Sequence, residues 1–400
     1  MKIIKIGFAL GGLAGHNAHG AGFLQAAIDA GVQPYMISCT SGQILWVSRY
    51  LKALKGDKGK HDVLLSQLRE DIETTAPFRS KDLDLVHMAL VGKPGIMRLA
   101  WQEAALDVVL NSLRACRRMV SHPSNVFFTR ELLRTLPARQ LVTELNTNFF
   151  KDIVSAFNGT SNGSNVGIAF NSYDPVNGQE NVYLNGRAAE ILGKTFDDPS
   201  KIRGPRTVYK PINEESVRDA LWIVQYGFDD NKVIDGAYHR QIMLDELMAA
   251  TDIYVARPIK YCWTDPLPTS WPDLEDMKTE MAFDGSYRCE RDKVEIINKL
   301  LDDKAFSEEK RDKYHPVNLY EIELQKPRSF FDYVFEDERV FTSAREQAKK
   351  VFADPAQYEV RTLQKKMIDR LQDRKHIITK NVTMKMPEKS RPGKFRSYVS

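Results

Sequence analysis

The chain has 400 residues, 42% of them hydrophobic and 10% aromatic, with a formal net charge of +4. That content supplies enough buriable surface to offset the entropy of folding, which excludes disorder for the bulk of the chain, and the length admits one elaborated domain or two to three ordinary ones. Four cysteines, Cys39, Cys116, Cys262 and Cys289, stand far apart with no CxxC pair; this argues against a disulfide framework or a zinc knuckle and fits a reducing, cytoplasmic compartment.

Residues 2–10 combine a basic start with an apolar run, the outline of a secretory signal. Lys5 interrupts the run, its β-branched core is strand-sized, and Gly11-Gly12 then opens a loop, so a buried first strand of an α/β fold is expected instead. Residues 11–22 hold five glycines and are expected as a loop, followed by a helix over 23–30 that Gly31 stops. A second short strand, 34–38, ends at Cys39-Thr40-Ser41-Gly42-Gln43, after which Ile44, Val47, Tyr50 and Leu51 recur at helical spacing. A βαβα beginning implies a parallel sheet, hence a three-layer α/β/α architecture with a mainly parallel centre.

Residues 55–150 are helix-rich and are expected as a helical cap inserted into this fold. Leu106, Val109, Leu110 and Leu113 share one face, with Arg114, Arg117 and Arg118 nearby. The polar run 158–165 is a loop, and it leads to a strand over 166–170. Asp174-Pro175-Val176-Asn177-Gly178 then predicts a hairpin with a strand over 181–184. Helices over 215–226 and 240–250, strands ending near Ile234 and over 252–256 and 319–324, and a helix over 342–352 complete the alternation. Domain boundaries are expected at 1–352 for the main unit and 353–400 for a C-terminal helix and basic tail.

Residues 374–400 carry eight basic side chains against Glu388 alone, +7, which leaves −3 on the rest of the chain. Such a tail suits an anionic membrane surface or simple solvation; no other feature suggests nucleic acid, and no stretch approaches the roughly 18 apolar residues of a membrane span, so any membrane encounter is expected to be peripheral.

A strand ending in a tight turn that carries a serine, with a helix following at once, is the geometry of a nucleophile elbow. The turn lifts the hydroxyl above the sheet edge, and the helix N-terminus favours developing negative charge. Ser41 holds that place, flanked by Cys39, Thr40, Gly42 and Gln43. The competing reading of Ser41 is an ordinary helix N-cap.

The run from Gly22 to Ser41 resembles, position by position, the helix and nucleophile strand of the patatin-like phospholipases. Their G-x-S-x-G and Asp-Gly-Gly/Ala signatures correspond to residues 39–43 and to Asp235-Gly236-Ala237. Residues 168–184 and 319–352 are similar to later parts of the same family. The resemblance implies a lipid acyl hydrolase with a Ser41–Asp235 catalytic dyad, in which the carboxylate takes the serine proton and no histidine or metal is needed. Gly236 and Ala237 are then expected to leave room for the two side chains to meet. His239 offers a Ser–His alternative, and a plain Asp-Gly turn is the structural one.

The resemblance also implies an oxyanion hole in the loop after the first strand, where Gly12, Leu13, Ala14, Gly15, His16 and Asn17 occupy the family's glycine-rich positions; Gly11 leaves a shifted register open. Gln43 departs from the elbow glycine, and Leu13, Ala14, His16 and Asn17 depart from the loop pattern. The GxGxxG spacing of a dinucleotide site is absent. His16 and His19 lie too irregularly for metal ligation, and no cofactor is expected. The expected partner is a lipid ester; the alternative is a patatin-fold binding or effector protein whose site has lost hydrolysis.

Overall fold

Phe8, Ala9 and Leu10, the apolar residues beyond Lys5, are wholly buried in the first strand. The computed structural model describes residues 4–12, 17–55, 62–79, 97–99, 101–121, 142–144, 148–159, 165–197, 206–224, 228, 232–258, 263, 267–269, 271–307, 314–323 and 338–360. In chain order these form β1 (Ile6–Leu10), α1 (Asn17–Ala30), β2 (Met36–Cys39), α2 (Gln43–Lys55) and α3 (Val63–Arg79). Next come β3 (Met97–Leu99), α4 (Trp101–Ser121), β4 (Val142–Glu144), α5 (Asn148–Asn158), β5 (Gly167–Asp174), β6 (Gln179–Leu184) and α6 (Gly186–Leu192). The remainder is β7 (Thr207–Pro211), α7 (Glu214–Ala220), β8 (Ile234–Asp235), β9 (Asp252–Arg257), α8 (Trp271–Asp302), β10 (Asn318–Glu323) and α9 (Glu338–Ala353).

Seven strands of the main sheet run in the order β10-β9-β1-β2-β5-β6-β7, with β8 paired to β5 beside that path. All neighbours are parallel except the β5–β6 hairpin and the short β8 pairing. Strand alternation divides the buried residues between two faces. Phe8, Leu10, Ile37 and Phe170 pack with α1, α2, α5 and α9 on one side. Ala9, Met36, Ala169 and Val182 pack with α6, α8 and the 242–250 segment on the other. This is a three-layer α/β/α fold with a mainly parallel sheet. On the first face Phe23 meets the Phe8 ring edge-on at 4.8 Å.

The hairpin forms where the turn residues call for it. Asp174 Oδ1 accepts from the Val176 and Asn177 amides at 2.9 and 3.0 Å, and Gly178 takes the left-handed φ of 65°. Elsewhere local pattern misleads. Helix α1 begins at Asn17, so two of the glycines expected in a loop are helical. Residues 240–250 are not a helix; they run as an irregular segment with one 3-10 turn, Asp245–Leu247, held by ion pairs described below. Helix α7 ends at Ala220, well before 226. The 32-residue α8, β7 and α6 have no counterpart among the expected elements. Past α9 the chain still packs on the body: Glu359 bridges to Tyr320, and Val360 is buried. Residues 361–400, which include the basic tail, lie outside the described residues. Among the described residues no helix is long and apolar enough to cross a membrane.

Candidate active site

Strand β5 is the template that brings the two signature motifs together. β2 pairs with it in parallel up to Cys39↔Phe170, and there β2 ends. Two residues further along β5, β8 pairs with it in the antiparallel sense at Ser172↔Asp235 and Tyr173↔Ile234. The turn after β2 and the end of β8 therefore meet at the C-terminal edge of the sheet, the edge where open α/β sheets place their ligands.

In that turn Ser41 has φ of 53°, a left-handed conformation that costs a non-glycine residue about 1 kcal/mol and persists only where surrounding bonds impose it. Those bonds are present. The Thr40 hydroxyl donates to the Gln241 carbonyl (2.7 Å) and accepts from the Gly12 amide (2.9 Å). Ser38 Oγ donates to the Met243 carbonyl at 2.6 Å, and Gln241 Nε2 donates to the Gly12 carbonyl at 3.2 Å. Backbone bonds from Gln43 and Ile44 back to Thr40 and Ser41 then start α2. Ser41 is 7% exposed.

Asp235 is 1% exposed. Its amide donates to the Trp222 carbonyl (2.8 Å), and its Oδ1 accepts from the Ala237 amide (2.9 Å). The Ser41 hydroxyl stands beside the Asp235 carboxylate and favours its charged form. Burial raises this carboxyl from 3.8 to about 7, and the bonds from Ser41 and Ala237 only partly oppose the rise. A carboxylate poised there accepts a proton at neutral pH far better than an ordinary aspartate.

Gly236 does not serve the role expected of it. A Cβ at this position would stand 2.1 Å from Asn171 Oδ1 and 2.7 Å from the Asn171 backbone carbon, so the glycine makes room for Asn171 rather than for the dyad itself. Asn171 Nδ2 in turn donates to Glu180 Oε1 (2.9 Å) and reaches the Gly236 and Arg240 carbonyls at 3.4 and 3.3 Å. Arg240 is buried among Glu180, Glu246 and Glu290, at 2.8, 2.8 and 3.3 Å. Burial opposes its charge, yet the three carboxylates outweigh that and hold the guanidinium well above its ordinary range. This lattice fixes the segment that follows Asp235. Asn171, Arg240 and Gln241 carry no motif of their own and are visible only once the chain is folded.

The loop after β1 is only partly described. Gly11 donates its amide to the Ala256 carbonyl at 3.2 Å and Gly12 gives its own to Thr40, so both N–H groups are engaged within the fold. Gly12 nevertheless packs on Ser41: a Cβ there would lie 2.6 Å from Ser41 Cβ. Leu13, Ala14, Gly15 and His16 lie outside the described residues. The Gly42 amide, next to Ser41 at the start of α2, has no acceptor among the described residues, the arrangement a nucleophile elbow uses.

Gln43, the departure at the elbow, is fully buried and stands against Gly20 of α1, whose Cβ would come within 2.1 Å of Gln43 Oε1. Its Nε2 donates to the Asn17 carbonyl at 3.2 Å. The missing elbow glycine is thus matched by a glycine on the facing helix, and Gln43 tethers the residue at which the 13–16 loop ends.

The two nearby histidines have other attachments. His239 is exposed, its ring stacked on Tyr173 at 4.5 Å, while the Asp235 carboxylate is met by Ser41 and Ala237. His19 is a buried residue of α1 that donates to the Ile322 carbonyl (3.0 Å); burial, with Arg257 beside it, lowers it to about 4. Among the described residues no cluster of His, Cys, Asp and Glu has the geometry to hold a metal ion. No protein-family model matches the chain, and no curated protein matches it in sequence.

Proposed function

We propose that this protein is a serine acyl hydrolase of the patatin-like kind, acting on lipid esters. The observation that carries the reading is the pairing, at one end of β5, of Ser41, held in a left-handed elbow turn, with a buried Asp235 whose carboxyl sits at about 7 and whose charged form the serine favours. In this mechanism Ser41 Oγ attacks the ester carbonyl while Asp235 takes its proton. The alkoxide leaves with that proton, forming an acyl-serine; a water, deprotonated by the same carboxylate, then releases the acid and regenerates the hydroxyl. The Gly42 amide serves as a donor to the tetrahedral oxyanion, and the α2 N-terminus adds favourable potential. The lipid-ester class rests on the resemblance of residues 22–41 and 235–237 to the family.

The test is labelling by a fluorophosphonate together with hydrolysis of a chromogenic short-chain ester and a lysophospholipid. Wild type is expected to label at Ser41 and to turn over. Ser41→Ala and Asp235→Asn are each expected to lose turnover by at least about 1,000-fold, the order seen when a nucleophile or its base is removed. Equal rates in all three proteins would refute the dyad.

A further inference from the structure

Helix α4 carries an apolar stripe that faces water. Leu106, Leu113 and Val120 lie seven residues apart, nearly two full turns each, and Val109 sits one turn from Leu106 on the same side. They are 59%, 62%, 83% and 55% exposed, in the order Leu106, Leu113, Val120, Val109. The inward face is marked by Asp107 and Ala115, which are 7% and 1% exposed. The stripe is about 21 Å long at 1.5 Å per residue.

Among the described side chains of this helix, the charges that meet solvent are arginines. Arg114, Arg117 and Arg118 are all exposed; Arg117 lies at the edge of the stripe, and Arg114 and Arg118 lie along that same side of it. Among the described side chains of α4 the carboxylate is Asp107, on the buried face. An apolar stripe bordered by arginine is the pattern of a helix that lies in the plane of a lipid surface, apolar residues among the acyl chains and guanidinium groups at the phosphates.

We infer that α4 docks this protein on an anionic lipid bilayer. The stripe enters the acyl boundary, and Arg114 and Arg117 select negatively charged head groups. Docking rests on the hydrolase reading only for the source of the substrate; the binding step itself is measured without turnover.

The experiment uses the full chain carrying Ser41→Ala, so that vesicles stay intact, and sedimentation with vesicles of phosphatidylcholine alone or mixed with phosphatidylglycerol. The control protein is expected to bind the mixed vesicles. Leu106→Asp/Leu113→Asp/Val120→Asp is expected to lower partitioning at least tenfold, with circular dichroism and melting unchanged because the sites are exposed. Arg114→Gln/Arg117→Gln is expected to lower it on the mixed vesicles only, by about fivefold per arginine. Undiminished binding of the triple variant, which would assign the affinity to the 374–400 tail, overturns the inference. So does a control protein that binds neither vesicle, or one that is a dimer by light scattering and becomes a monomer in the triple variant with vesicle binding unchanged. A protein that lacks esterase activity but binds through α4 sinks the hydrolase reading and leaves this one standing.

Discussion

Asp235→Asn separates the cost of the buried carboxylate from its proposed catalytic use. In the unfolded chain this carboxyl titrates near 3.8, and in the folded protein at about 7, because burial disfavours the charge more than the Ser41 and Ala237 bonds favour it. Between those values the native state holds a proton that the unfolded state has released, so stability falls as pH rises through that window and levels off above about 7. At about 1.4 kcal/mol per pH unit the full displacement sets a ceiling of about 4 kcal/mol at pH 8 and about 1.5 kcal/mol at pH 5. Asparagine keeps an oxygen for the Ala237 amide and carries no charge, so it escapes the penalty. Urea unfolding of wild type and Asp235→Asn at pH 5, 6, 7 and 8 is therefore expected to show the variant gaining on wild type by about 2 kcal/mol across that range, while its esterase activity is lost. Parallel stability curves, or a variant less stable than wild type at pH 8, would refute the assignment of a strained, solvent-excluded carboxylate.

The same carboxyl predicts a rate profile: kcat/KM for ester hydrolysis should rise with pH to a plateau, with a midpoint near 7, because only the ionised form accepts the serine proton. Gly236→Ala forces a Cβ into the Asn171 side chain and backbone and shifts Asp235, so activity should fall by about 100-fold or more, with a loss of about 1–3 kcal/mol in unfolding experiments. Gln43→Leu keeps the volume against Gly20 but removes the bond to the Asn17 carbonyl that ties the start of α1 to the elbow; kcat should drop about tenfold with KM little changed. Arg240→Met leaves Glu180, Glu246 and Glu290 buried without their cation, and denaturant melts should show a loss of about 3–5 kcal/mol.

What was legible in the sequence follows from which forces act locally. The first strand, the elbow and the β5–β6 hairpin declare themselves through short-range chemistry: β-branched runs, a serine-glycine turn, and an Asp-Pro-Val-Asn-Gly sequence whose aspartate caps its own turn. The 240–250 segment reads as helix because Ile242, Met243, Leu247 and Ala250 alternate with polar residues. It stays irregular because Arg240 is drawn to Glu180 and Glu290, which lie far away in the chain, and because Ser38 and Thr40 take its carbonyls. Conversely, Gly20 and Gly22 suggest a loop yet lie within α1. Glycine weakens a helix by about 1 kcal/mol, but here its small size admits Gln43 beside Gly20 and the Phe341 carbonyl beside Gly22, and that packing decides.

The candidate site follows the same division. Ser41 and Asp235 were legible as motifs, whereas what makes them able to react is not written near either one. The left-handed φ of Ser41 is imposed by Thr40 reaching Gln241 and by Gly12 reaching Thr40, bonds that join three segments distant in the chain. The raised carboxyl of Asp235 depends on burial, and burial depends on β5, which ends its pairing with β2 at Phe170 and takes up β8 at Ser172. A shift of one residue in either register would turn Asp235 to the opposite face of the sheet, as the alternation of a strand requires. The juxtaposition of Ser41 and Asp235 is thus a property of two pairings on one strand. Substitutions that disturb the β5 register are therefore expected to abolish activity without touching either reacting group.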